Sequence, residues 1–259
     1  MLDGAGEPDE RRRIACYRPP QRPAPRPVSG PITKTQGVLD LVRDLPFVDG
    51  LLVTGDLADH GAATEYAEFF GALPDGLPTL VVPGNHDLSA PLLAALSDAG
   101  REQTLSDTLD LDGVRIVGMD THVDARDDGF LAPESIADAR DRIASAPGHV
   151  VLAMHHPPVP VGHDLADSLY RLTNPEALAA LVAEHDRVIG IFTGHVHSAL
   201  ASTFSGMPLL GAPGIVSTMR LGSKTDPIAD MTAMPGFALH TIALTHIRTV
   251  FHHLSPSAL

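Results

Sequence analysis

Four short apolar runs constrain this chain most, because each closes on polar groups, three of them through a glycine turn. LLVT leads into Gly55-Asp56, LVVP into Gly84-Asn85-His86-Asp87, VVLAM into His155-His156, and IGIFT into Gly194-His195-Val196-His197. Runs this short and this apolar suit strands buried on both faces. Segments with apolar residues at helical spacing lie between and around them, over residues 33–45, 65–73, 90–99, 134–146 and 175–185. Asn174 before Pro175 reads as a helix N-cap with proline in the first turn. The strand-like runs are 50–55, 79–84, 114–120, 149–156 and 187–194. Alternation of this kind predicts an α/β protein with a buried sheet. The last third differs: residues 199–214 and 236–254 are β-rich with no helix between them, and are expected to form antiparallel strands completing a second sheet.

In open α/β sheets ligands gather beyond the carboxyl ends of the strands, so the four polar groups are expected at one edge. Asp, Asn and His offer oxygen and imidazole donors without sulfur, which suits Mn, Fe or Zn. An aspartate can give one oxygen to each of two cations, and a metal pair about 3.5–4 Å apart is the clamp used in phosphoester hydrolysis. A GD or HH pair taken singly is more often structural. Four such groups in order, each ending an apolar run, mark Asp56, Asn85, His155, His195 and His197 as candidate ligands. The remaining histidines (His60, His122, His149, His163, His185, His240, His246, His252 and His253) have no matching context and read as surface or strand residues. Asp59 and Asp120 read as turn or capping residues.

The order GD, GNHD, HHPP, GHVH resembles the calcineurin-like metallophosphoesterases, and AMHHPPVP is similar to their bacterial class III cyclic-nucleotide phosphodiesterase branch. The resemblance covers roughly residues 32–254. It implies a four-layer α/β/β/α sandwich with a dinuclear site at the strand ends. Carried over position by position, Asp56 would bridge the two metals. Asn85, His155 and His195 would complete the second metal's shell, and His197 would belong to the first. His86 would bind the phosphate and protonate the leaving alkoxide, with Asp87 orienting its ring. His156 lines the pocket in this reading and is not a ligand. The implied reaction is attack of a metal-activated hydroxide on phosphorus in a phosphodiester such as a cyclic nucleotide.

Members of that family begin with a central strand ending in Asp-x-His, which supplies two ligands to the first metal. No such motif stands in the first part of this chain, whose first histidine is His60. The expected place, near residues 14–22, falls in RRRIACYRPPQRPAPRP (11–27). Residues 1–31 are therefore expected to be an aberrant, disordered segment in which the first strand is lost or replaced, ahead of a single domain over 32–259. The second metal position is expected intact and the first crippled, so the alternative function is a catalytically impaired metal- or phosphate-binding homologue. The codons for Tyr17 to Gln21, read one nucleotide later, admit Ile-Asp-Leu-His. A frame error is thus one origin of the segment, which resequencing of the gene tests.

Charge narrows the partners. Residues 1–31 hold six Arg and four acidic residues, a balance of +2, so the net charge of -14 leaves -16 for the rest. An acidic body repels long nucleic acids, yet a bound cation leaves a small phosphoester substrate acceptable. One cysteine suits a reducing cytoplasm, and no apolar run approaches the roughly 20 residues of a membrane span. The Arg-rich start lacks the apolar stretch of a secretory signal. Oligomeric state stays open at this level, a homodimer included.

Overall fold

The computed structural model describes residues 12–17, 30–220, 228–243 and 246–255. Two sheets face each other. The first holds, in spatial order, β13 (His246–His253), β12 (Gly236–Ala243), β1 (Arg12–Tyr17), β2 (Gly50–Val53) and β3 (Thr79–Val81). The second holds β4 (Thr108–Leu111), β5 (Val114–Gly118), β6 (His149–Ala153), β7 (Val188–Thr193), β9 (Met207–Gly211) and β8 (Leu200–Phe204). Helices α1 (Pro31–Arg43), α2 (Ala63–Ala72) and α3 (Ser89–Asp98) cover the first sheet. Helices α4 (Pro133–Ala144) and α6 (Pro175–Ala183) cover the second. A one-turn helix α5 (Asp164–Leu169) and a ribbon of β10 (Thr218–Met219) with β11 (Ala229–Asp230) complete the described elements.

Side-chain alternation along each strand explains the layering. Leu51 and Val53 point into the core shared with the helices, while Leu52 between them joins the core between the sheets. Val150 and Leu152 face α4 and α6, whereas Val151 and Ala153 face the other sheet. A strand with apolar residues on both sides satisfies two cores at once, which is why these segments read as unbroken apolar runs. Each fully buried Leu, Val or Phe contributes about 1.5–3 kcal/mol relative to exposure. The result is the four-layer α/β/β/α sandwich expected from the sequence.

Two expectations are corrected. The first strand is present: Arg12–Tyr17 lies at the centre of its sheet, parallel to β2 and antiparallel to β12. Ladder bonds need only backbone donors and acceptors, and this stretch contains no proline; the next proline after it is Pro19. Loss of the strand and disorder therefore do not hold for residues 12–17. Residues 1–11 and 18–29 lie outside the described residues. The β-rich last third also does not build one sheet. Strands β8 and β9 extend the second sheet, while β12 and β13 pair with β1 in the first. Each hairpin goes to the sheet that has an open edge beside it.

Candidate metal centre

The carboxyl ends of β2, β3, β6 and β7 converge, and glycines make the convergence possible. A Cβ on Gly84 would overlap Asp56 Oδ1 and lie 2.7 Å from His155 Cε1, and one on Gly55 would collide with His155 Nδ1. Gly55 also adopts φ +100°, a conformation open to glycine without strain. Among the described residues, five non-glycine positions have positive φ, and three of them are Asp56 (58°), His195 (68°) and His197 (54°). Such backbone is tolerated where surrounding structure enforces it, typically at functional sites.

Asp56 and His155 are fully buried, and His195 nearly so. His155 Nδ1 lies 2.6 Å from the Thr54 carbonyl oxygen. A carbonyl only accepts, so Nδ1 carries the hydrogen and Nε2 presents its lone pair. That Nε2 lies 3.1 Å from Asn85 Oδ1, 3.0 Å from His195 Nδ1 and 3.4 Å from Asp56 Oδ1. His195 Nδ1 is itself 3.0 Å from Asn85 Oδ1. Four donor atoms from four loops thus crowd around one point. Ligands about 2.1 Å from a cation are separated by roughly 3.0–3.4 Å along the edges of its coordination polyhedron, so this set fits a metal. His156 adds a third imidazole, the ring nitrogens of His155, His156 and His195 gathering within 4.8 Å; its Nδ1 meets Thr121 Oγ1 at 2.8 Å.

His197 stands apart from the four, its Nδ1 bonded to the buried Ser217 Oγ. Strand β1 ends at Tyr17 in register with Val53, three residues before Asp56. The chain continues as Arg18-Pro19-Pro20, which offers neither carboxylate nor imidazole where Asp-x-His is expected. Among the described residues Asp56 and His197 alone do not make a first-metal shell, and the donors that meet there fit one cation.

His86 and Asp87 behave differently from each other. His86 N donates to Asp56 Oδ1 at 3.1 Å, and its ring Nδ1 lies 3.0 Å from the Asp59 carbonyl and 3.4 Å from Asp59 Oδ1. Nδ1 therefore carries a hydrogen, and Nε2 is the atom left for a ligand. The expectation that Asp87 orients this ring is corrected. The Asp87 carboxylate accepts from Leu57 N at 3.0 Å, Ala58 N at 3.1 Å and Gly84 N at 2.8 Å, so it staples the turn after β2 to the turn after β3. Burial pushes its pKa up to about 6, against the pull of those N–H groups. Asp59, read from sequence as a turn residue, is the carboxylate beside His86; the available signal was its place three residues after Asp56.

A second group escaped the sequence reading. His122 is buried, with Nδ1 2.8 Å from Asp120 Oδ1 and Nε2 3.1 Å from Asp124 Oδ1. Burial alone would lower its pKa, but Asp120 and then Asp124 outweigh it and hold the pKa above the usual range. The pattern Asp-x-His-x-Asp over residues 120–124 carried that signal.

Residues 29–199 match the family described as calcineurin-like phosphoesterase. A probable cyclic nucleotide phosphodiesterase of Rhodococcus erythropolis is 32% identical over 180 residues, covering 67% of this chain and 59% of that protein. A cAMP/cGMP dual specificity phosphodiesterase of Mycobacterium tuberculosis is also 32% identical over 180 residues, covering 67% of this chain and 56% of its own length. The chain thus matches under two thirds of the length of these relatives. A dimetal phosphatase from Danio rerio superposes with a TM-score of 0.66 at 15% identity, covering 93% of this chain and 95% of that one, a likeness of fold. No helix among the described residues is long and apolar enough to cross a membrane.

Proposed function

We propose that this chain, which belongs to the calcineurin-like phosphoesterase family, hydrolyses phosphodiesters of small molecules, a cyclic nucleotide being the leading candidate. The observation that carries the reading is the meeting of Asp56, Asn85, His155 and His195 donor atoms at 3.0–3.4 Å. A divalent cation held there would supply Lewis-acid activation of phosphate and water. The rest falls to the chain's own residues. His86 Nε2 faces away from Asp59 and is the group to bind a phosphoryl oxygen and deliver a proton to the leaving alkoxide. Asp59 fixes the ring's orientation through Nδ1. Asp87 holds the turns bearing Asp56 and Asn85 at a fixed separation. The cyclic-nucleotide preference draws on the relatives named above.

A second reading is favoured by the sequence beyond β1: a homologue with one complete metal position and slow turnover. Both are tested by Mn2+-dependent hydrolysis of bis(p-nitrophenyl) phosphate and 3',5'-cyclic AMP, alongside metal stoichiometry, for the chain and for Arg18→Asp/Pro20→His. The expected result is one ion bound in the chain, two in the variant, and faster hydrolysis in the variant. Equal stoichiometry and equal rates would overturn the single-site reading. No hydrolysis by either protein would overturn the enzymatic one.

A further inference from the structure

The loop of residues 120–130, between β5 and α4, is fastened on both sides of the metal centre. At its start, His122 is clasped between Asp120 and Asp124, and Asp124 accepts from both Ser89 N and Ser89 Oγ at 3.0 Å. Thr121 Oγ1 meets His156 Nδ1, and at the loop's end Gly129 N donates to the Arg171 carbonyl at 3.0 Å. The span held between these points brings Asp127 Oδ1 to 3.4 Å from Asn85 Nδ2.

That contact bears on which way the Asn85 amide faces. A side-chain amide has an accepting and a donating end of nearly equal size, and rotation by half a turn exchanges them. With oxygen inward, Asn85 offers a lone pair beside His155 Nε2 and His195 Nδ1, as a cation requires. With the NH2 inward, it would donate to the lone pair of His155 Nε2, a satisfactory hydrogen bond that leaves no oxygen for a metal. The metal-free centre therefore has a stable competing arrangement. A carboxylate only accepts, so Asp127 bonds the NH2 and selects the oxygen-inward state.

We propose that Asp127 is a positioning residue that holds Asn85 in its cation-binding orientation. The inference rests on the reading of Asn85 as a metal ligand. Partners beyond the direct ligands commonly contribute about 10- to 100-fold to metal affinity.

The experiment is a Mn2+ titration of the full chain by calorimetry, with metal-free melting curves recorded for every variant. Asn85→Ala tests the ligand itself; unchanged Mn2+ affinity there would overturn the assignment of Asn85, and with it the site. Given loss in Asn85→Ala, Asp127→Ala is expected to weaken Mn2+ about 10- to 100-fold with little change in melting. The deciding comparison places Asp127→Ala in an Asn85→Asp background. A carboxylate at 85 has two equivalent oxygens and no wrong orientation, so removal of Asp127 there is expected to cause no loss of affinity. Equal losses in both backgrounds would mean that Asp127 acts by charge or structure alone, and no loss in the native background would mean that it does nothing; either result overturns the proposal.

Discussion

His240 shows how one residue can set the pH response of a core. It is fully buried on β12, stacked on Phe192 of β7 with centroids 3.8 Å apart, and Nδ1 meets Thr249 Oγ1 at 2.7 Å. Burial pushes its pKa down to about 3. Unfolded imidazole titrates near 6.5, so below that pH only the unfolded chain takes up the proton. Native stability therefore falls as pH drops from about 6.5 toward 3, by up to about 1.4 kcal/mol per pH unit from this residue. His240→Phe keeps the stacked ring and removes the titration. Urea melts across that range should show a shallower slope for the variant; an unchanged slope would place the acid sensitivity elsewhere. At this scale the sequence was partly legible. Asp56, Asn85, His155 and His195 announced themselves by closing apolar runs, and they do meet. His240 and His122 did not, because what distinguishes them is burial and neighbours contributed by distant segments. Asp87 was assigned to the wrong neighbour for the same reason: adjacency to His86 in the chain says nothing about where its carboxylate turns.

At the scale of elements, the site depends on how tightly each strand turns at its end. Gly84→Ala would place a methyl group on Asp56 Oδ1 and beside His155. The expected loss is about 1–3 kcal/mol or more, read by thermal melting, together with loss of Mn2+ binding. Gly100→Ala, whose added methyl group would meet no atom within 4 Å, provides a comparison that carries only the strain of its φ of +67°. The helices and parallel strands fall within a few residues of their expected positions, since apolar periodicity is a local property. The strand β4 (Thr108–Leu111) and the helix α5 (Asp164–Leu169) were not anticipated. Four and six residues carry too few repeats to show a period. Asn174 does stand at the N-cap of α6, yet its side chain bonds the Leu131 backbone instead, through both Oδ1 and Nδ2 at 2.9 Å. A cap position was legible; the competing partner 43 residues away was not.

At the scale of the whole molecule, Lys34 ties the start of the chain's first helix to its far end. Its ammonium group donates to the carbonyls of Val216 at 3.1 Å, Met231 at 3.3 Å and Ala233 at 3.2 Å. Burial lowers its pKa, with Asp230 opposing. Lys34→Met keeps most of the stem and removes all three donors. We expect a stability loss of about 1–3 kcal/mol in chemical denaturation, with weaker hydrogen-exchange protection near Ser217, the partner of His197; unaltered protection would show the tie to be dispensable. The sequence by itself determined the layered α/β class, the edge at which the candidate donors gather and the donor types found there, because apolar period, turn chemistry and residue type are written locally. It also determined that no Asp-x-His precedes the first helix. The tertiary structure decided that β1 is nevertheless in place, which hairpin joins which sheet, that Asp59 and not Asp87 attends His86, and that Asp127 reaches Asn85. Each of these turns on atoms brought within about 3 Å by packing of segments far apart in the chain, and that information resides in the assembled cores rather than in any stretch of residues.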